Sequence, residues 1–81
     1  MKVRVFVRLK SGVLDPQGET IRASLHRLGF PELETLRAGK FFEMELDMTD
    51  PEEARQRTAA MCESLLANPV IEEYDIEIEG Y

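Results

Sequence analysis

The stretch over residues 9–19, LKSGVLDPQGE, holds residue types that occur in phosphate-binding and catalytic loops: two glycines, a proline and an aspartate. A phosphate loop needs a longer glycine-rich cradle and usually a following lysine, and the carboxylate of Asp15 would compete with an anion for the helix amides. Asp15 before Pro16 is typical of a helix N-cap, because the carboxylate accepts from the free amides of the first turn. Capping does not explain Gly18, which indicates a close backbone approach.

The other residue types that carry chemistry occur singly. His26 is the only histidine and Cys62 the only cysteine, so neither belongs to a set of ligands at metal-binding spacing. Cys62 follows Met61 in the middle of a helical pattern, which is typical of a core thiol and not of an activated thiolate. The carboxylates are spread along strand faces, and no two of them stand out as an acid–base pair. We therefore predict no catalytic residue, bound cofactor or metal site in this chain.

Length and composition narrow the class of protein. We expect a single domain over residues 1–81, and a domain of this size buries only about 60% of the surface of its unfolded chain. Association with other chains is therefore expected. No apolar run is long enough to span a bilayer, and a lone cysteine fits a reducing compartment. The prediction is a cytoplasmic protein without a membrane segment.

Charge argues against a nucleic acid partner. The formal net charge of −6 repels phosphate backbones, from which nucleic acid binding draws most of its affinity. Residues 37–44, RAGKFFEM, weakly resemble a strand motif of RNA-recognition domains, but the aromatic spacing is incomplete and acidic strands surround it. We predict no nucleic acid binding.

Hydrophobic periodicity predicts four strands and two helices. The predicted elements are a strand over 2–9, a helix over 16–28, strands over 33–38 and 40–48 forming a hairpin around Gly39, a helix beginning at 51 that Asn68-Pro69 ends, and a strand over 70–79. Asp50 before Pro51 repeats the N-cap pattern of the first helix. The predicted inward-facing residues of the second helix are Ala54, Thr58, Met61 and Leu65.

The order βαββαβ with short connections predicts an α+β plait, in which a four-stranded antiparallel sheet carries both helices on one face. In the usual strand order of a plait the first strand lies between the third and the fourth. Its outward Arg4 and Arg8 would then lie between two acidic strands, a favourable cross-strand arrangement. Phe6 and Phe41 would be the main apolar features of the uncovered face. The pair fits a protein contact surface, and it fits equally well the single apolar residues that occur on any protein surface.

Three segments together resemble one known family. They are KVRVFVRLKSGVLDPQG (2–18), LRAGKFFEMEL (36–46) and MCESLLANPVIEEYDIEIE (61–79). They resemble PurS, the small subunit of the bacterial phosphoribosylformylglycinamidine synthase complex of de novo purine synthesis, along essentially the whole chain. The resemblance implies a PurS-like plait that forms dimers.

The resemblance also implies a function. In that family a glutaminase subunit (PurQ) releases ammonia from glutamine, and a synthetase subunit (PurL) uses ATP and Mg to amidate formylglycinamide ribonucleotide to the amidine. PurS is a non-catalytic subunit that joins the two and assists ammonia transfer. The implied partners are PurQ, PurL and a second copy of the chain, as a homodimer or a dimer of dimers.

We nominate a set of subunit-contact residues from the segments that resemble the family. The residues expected to contribute are Asp15, Gln17, Gly18, Arg37, Lys40, Asn68 and Tyr74. Two alternatives to the complex subunit stay open. A ligand-sensing regulatory plait would bind an amino acid or nucleotide at a dimer edge. A small hydrolase of the acylphosphatase kind would need an arginine in an anion-binding loop and an asparagine to position water, and here Arg37 and Asn68 supply the residue types without a recognisable loop.

Overall fold

The computed structural model describes all 81 residues and contains a three-stranded antiparallel sheet and two α-helices. The elements in chain order are β1 (Lys2–Leu9), α1 (Pro16–Arg27), β2 (Gly39–Glu45), α2 (Pro51–Met61) and β3 (Glu72–Ile78). The strand order is β2-β1-β3, with Val5 paired to Phe42 on one side and to Ile76 on the other. The central position of the first strand confirms that part of the predicted arrangement.

The predicted hairpin around Gly39 is wrong, and so is the four-stranded plait. Gly39 does not reverse the chain but pairs with Arg8 as the first residue of β2, and residues 33–38 form no strand. The outer edge of β2 stays unpaired, so a sheet edge was available, but residues 33–38 do not pair with it. The amide of Ala38 donates to the side chain of Asp15 and not to another strand. The strand predicted over 33–38 is therefore absent, because a local pattern does not supply a strand partner.

The predicted placement of both helices on one face of the sheet is also wrong, because α1 projects away from the sheet and only α2 packs against it. The molecule is accordingly elongated, with extents of 48 × 27 × 15 Å. Its radius of gyration is 15.9 Å, against about 12 Å for a compact chain of this length. The apolar residues Ile21 and Leu28 of α1 are consequently left 39% and 73% exposed.

The core lies between one face of the sheet and α2. Its central residues are at most 2% exposed and are Val3, Val5, Val7, Ala54, Thr58 and Cys62. Valines on a strand and small side chains at every fourth helix position let the two layers approach closely. The helix continues from α2 into one wider π-type turn over Cys62–Leu66. This extra residue in the turn rotates Leu65 out to 84% exposure, so its predicted inward orientation is wrong.

The opposite face of the sheet carries no helix, and its side chains alternate with those of the core as predicted. We call this surface the outer face. Its side chains are those of Lys2, Arg4, Phe6, Arg8, Phe41, Glu43, Glu45, Glu73, Asp75, Glu77 and Glu79.

Candidate functional site

Three connections meet at one end of the sheet, where β1 ends and both of its antiparallel neighbours begin. We call this region the corner. It comprises residues 10–18 between β1 and the first turn of α1, residues 36–40 entering β2, and residues 66–72 entering β3. Six of the seven nominated contact residues lie in the corner, so the topology gathers residues that are up to 53 positions apart in the sequence.

Asp15 joins the start of α1 to the start of β2. Its Oδ1 accepts from the backbone amide of Gly18 at 3.0 Å, which is the predicted N-cap, and its Oδ2 accepts from the amide of Ala38 at 2.8 Å. The Gly18 amide first, then the Ala38 amide and the positive charge of Arg37, lower the pKa of this carboxyl. Because both carboxylate oxygens are bonded to backbone amides, Asp15 holds two chain segments together.

Gly18 is buried in the first turn of α1 because the backbone of residue 36 lies against it. A Cβ at this position would lie 2.8 Å from the carbonyl oxygen of Leu36 and 2.3 Å from Oδ2 of Asp15. Real Cβ contacts of this kind are excluded sterically, so the close backbone approach predicted for Gly18 is confirmed. A side chain here would push α1 away from the segment to which Asp15 ties it.

Arg37 fixes the connection between β1 and α1 from the other side. Its Nη2 donates to the carbonyl oxygens of Leu9 at 3.4 Å, Lys10 at 3.3 Å and Val13 at 3.3 Å. The Leu9 carbonyl ends β1 and the other two belong to the loop that follows, so one guanidinium serves several acceptors at once. The guanidinium is thereby directed at backbone oxygens, and the loop does not form the anion-binding cradle that the hydrolase alternative requires.

Lys40 and Asn68 belong to the part of the corner that leads into β3. Lys40 Nζ donates to the carbonyl of Leu66 at 3.1 Å and lies 3.4 Å from Oε1 of Glu72. The same carboxylate oxygen accepts from the amide of Asn68 at 2.6 Å, and Oδ1 of Asn68 accepts from the amide of Val70 at 3.1 Å. Glu72 therefore links β2 to the turn before β3.

Sequence reasoning missed Glu72 as a functional residue, although a signal was present. In the alternation of the last strand Glu72 has the same parity as the inward-facing Tyr74, so its carboxylate lies on the covered face. A carboxylate on that face needs a hydrogen-bonding partner. Sequence reasoning also missed Lys10, whose Nζ donates to the carbonyl of Pro69 at 2.8 Å.

Gln17 and Tyr74 complete the nominated set. Gln17 is exposed and lines a shallow groove of about 240 Å³ together with Arg8 and Lys40. Tyr74 lies outside the corner, on the covered face of β3 opposite Val7. Burial first, and then the nearby charges of Glu63 and Cys62, raise the pKa of Tyr74.

The two residues that could carry independent chemistry have ordinary structural surroundings. Cys62 is completely buried, and burial together with the charge of Glu63 raises the pKa of its thiol, the opposite of what an activated thiolate requires. His26 is exposed near the end of α1, with Nε2 2.5 Å from the carbonyl oxygen of Leu33. No three side chains among the histidine, cysteine and carboxylates come together as metal ligands, and neither helix has the length and hydropathy of a membrane span.

The polar side chains of the corner bond mainly to backbone amides and carbonyls, an arrangement that fixes chain directions. The fold and the corner together define a small α+β scaffold domain with one helix-covered sheet face, one open sheet face and a projecting helix.

The family model described as PurS, phosphoribosylformylglycinamidine (FGAM) synthase, matches residues 2–80. The chain is 42% identical over 78 residues to the PurS subunit of phosphoribosylformylglycinamidine synthase from Bacillus subtilis, covering 96% of this chain and 92% of that one. The crystal structure of Methanocaldococcus jannaschii PurS matches with a TM-score of 0.89 at 36% identity, over 99% of this chain and 96% of that chain. A chain of the Thermotoga maritima PurLQS structure matches with a TM-score of 0.86 at 37% identity, over 94% and 93%. The chain belongs to the PurS family.

Proposed function

We propose that this chain is the non-catalytic small subunit of a phosphoribosylformylglycinamidine synthase complex. In this role it holds a glutaminase subunit (PurQ) and a synthetase subunit (PurL) in one assembly of de novo purine synthesis. The complex converts formylglycinamide ribonucleotide to the amidine with ATP and glutamine, and this chain assists the transfer of ammonia between the two active sites.

The observation that carries the proposal is the match over nearly the whole chain to a member of the Thermotoga maritima PurLQS structure. The contacts of the corner support a non-catalytic role, because the side chains of Asp15 and Arg37 form hydrogen bonds with the backbone of this chain. The elongated shape supports the proposal further, since an 81-residue chain that leaves one helix projecting and one sheet face open presents a large surface to other subunits.

The seven nominated residues are proposed to contribute to subunit contacts in two ways. Gln17 and Asn68 have exposed side chains at the corner and would contact a neighbouring subunit directly. The others would act by holding the contacting segments in position, and these are Asp15, Gly18, Arg37, Lys40 and Tyr74.

The cofactors and the cellular location follow from the same proposal. ATP and Mg would be used by the synthetase subunit, and this chain would bind neither. The chain would function in the cytoplasm, as a homodimer or a dimer of dimers within the complex. An 81-residue domain with an incompletely covered core gains stability from such association.

The decisive experiment measures formation of the amidine from glutamine, using the glutaminase and synthetase subunits of the same organism with and without this chain. A parallel assay supplies ammonium directly. Omission of the chain is expected to abolish the glutamine-dependent reaction and to spare the ammonium-dependent one, because only the former needs the two subunits coupled. If both reactions proceed equally well without the chain, the proposed coupling role is wrong.

The nominated residues are tested in the same assay. The double substitution Gln17→Ala and Arg37→Ala is expected to weaken complex formation and to lower glutamine-dependent turnover. Unchanged assembly and turnover would show that this selection of residues is wrong while leaving the coupling role intact.

A further inference from the structure

The centre of the outer face is an aromatic pair that no other part of the chain covers. The rings of Phe6 and Phe41 lie 5.1 Å apart between centroids and are inclined by 40°. Phe6 is 37% exposed and Phe41 53% exposed. Aromatic side chains are enriched at the centres of protein interfaces, where burial of a ring contributes most to binding.

Charged residues surround this pair, and negative charge predominates among them. The outer face carries three cationic side chains, those of Lys2, Arg4 and Arg8. It carries six carboxylates, those of Glu43, Glu45, Glu73, Asp75, Glu77 and Glu79. The surface around the rings therefore has an excess of negative charge.

The two arginines are already neutralised by neighbouring strands. Arg8 Nη1 lies 2.7 Å from Asp75, and its Nε lies 3.0 Å from Glu73. Arg4 lies 3.5 Å from Glu43 and 3.4 Å from Glu79. Glu77 has no cation within 4.0 Å, although it is opposite Arg4 in the strand register. The carboxylate of Glu77 is thus available to an external cation.

We propose that the outer face is the docking surface for a different subunit, one that presents lysine or arginine residues around an apolar centre. Opposite charges across an interface speed association and select the partner. A second copy of this chain is the wrong occupant, because a symmetric face-to-face contact would oppose two surfaces with the same excess of carboxylates. The proposal rests on the proposed function, since it assigns one face of the scaffold to one of the other subunits of the complex.

The ion pairs of the outer face are compatible with such a role. Exposed pairs between arginine and carboxylate contribute little to folding, so their partners are free to rearrange when a basic surface approaches. The strand backbone beneath them is held by hydrogen bonds on both edges of β1, which keeps the rings and carboxylates in a fixed pattern.

The test compares two outer-face variants with two matched controls. Phe41→Ser removes an exposed ring, and Glu77→Lys reverses the unpaired charge. Leu65→Ser removes an exposed apolar side chain on the helix side of the sheet, and Glu32→Lys reverses a charge in the connection between α1 and β2. Folding of each variant is checked by circular dichroism. Affinity for the glutaminase and synthetase subunits of the same organism is measured at low and high NaCl.

We expect each outer-face variant to raise the Kd for one of the two subunits by about tenfold or more, and each control by less than about twofold. Wild-type affinity is expected to fall as NaCl is raised from about 0.05 to about 0.5 M, and the charge-reversed variant should lose most of this dependence. Because Glu77 is exposed and unpaired, its variant tests the proposal even if Phe41→Ser fails to fold.

Two results would overturn the assignment of this face. One is a set of variants that all bind like wild type. The other is a loss of self-association, detected by light scattering on the chain alone, in the outer-face variants only, which would make the occupant a second copy. If the wild-type chain binds neither subunit at any salt concentration, the proposed function itself fails and the docking assignment fails with it.

Discussion

At the corner, the carboxylate of Asp15 and the guanidinium of Arg37 bond to backbone amides and carbonyls, whereas on the outer face Arg4 and Arg8 bond to carboxylates of neighbouring strands. Both regions are partly exposed and both contain close polar contacts. They differ in what the bonds hold: at the corner the bonds fix loop backbone at the strand ends, and on the outer face they join side chains of strands that the sheet ladders already hold.

This difference shows which polar residues determine the architecture. Loop backbone groups have no regular partner, so a side chain that bonds to them decides where the loop goes. At the corner those bonds set the direction in which α1 leaves the sheet. Charge pairs on an existing sheet leave the fold unchanged and determine which surfaces the protein can contact.

The largest difference between the two regions is expected for Gly18→Ala. The added methyl group would overlap the Leu36 carbonyl and the Asp15 carboxylate, so α1 must shift and the free energy of unfolding should fall by about 1–3 kcal/mol. The measurement is urea denaturation followed by circular dichroism.

The control for this substitution is Gln17→Ala in the same helical turn, where the side chain is exposed and the change should stay within about 0.5 kcal/mol. Equal stabilities of the two variants would mean that the close contact at Gly18 does not constrain the corner.

A smaller effect, with a distinct pH dependence, is expected for Asp15→Asn. An asparagine oxygen can still accept from the Gly18 amide, but its amino group would face the Ala38 amide and leave one bond unmade. The pKa of Asp15 is lowered in the folded state from its ordinary value of 3.8. Its contribution to stability is therefore complete above that value and is lost as the pH falls through the lower folded-state pKa.

Stability measured against pH tests this assignment of the carboxylate. Wild type should lose stability more steeply than Asp15→Asn as the pH falls below about 4, and the two curves should converge in acid. Glu32→Gln, which removes a carboxylate that makes no hydrogen bond or ion pair, controls for the change in net charge. Parallel curves for wild type and Asp15→Asn would contradict a clamp made by the ionised side chain.

Local sequence patterns predicted the elements of both regions better than their contacts. Alternation placed the inward and outward residues of all three strands, and the Asp-Pro pairs located both helix starts, because these signals depend on neighbours in the chain. The central position of β1 could be anticipated from the acidic strands that match Arg4 and Arg8.

The failures have a common physical cause in long-range contacts. Whether 33–38 becomes a strand depends on the partners that its backbone finds, and here the amide of Ala38 bonds to the side chain of Asp15. Whether α1 covers the sheet depends on the bonds of Asp15 and Arg37 to segments more than 20 residues away. The orientation of Leu65 depends on one wider helical turn, which no residue type in the sequence predicts. The nominated residues were found through family resemblance, which identified the corner without its hydrogen bonds.

The smallest effect is expected on the outer face, from Arg4→Gln. This substitution removes the pairs with Glu43 and Glu79, whose separations of 3.5 and 3.4 Å place them among exposed ion pairs with small contributions. The loss in free energy of unfolding should stay below about 1 kcal/mol at low salt and should nearly vanish in about 1 M NaCl, because exposed charges are screened.

Arg37→Gln is the matched comparison, because it makes the same change at the corner. It replaces the guanidinium that donates to three backbone carbonyls with a poorer donor. Its effect should be larger and less dependent on salt, because bonds to neutral carbonyls are screened less than pairs of charges. If Arg4→Gln proved as destabilising as Gly18→Ala, the outer-face pairs would be part of what holds the sheet, and they could not rearrange freely when another subunit docks.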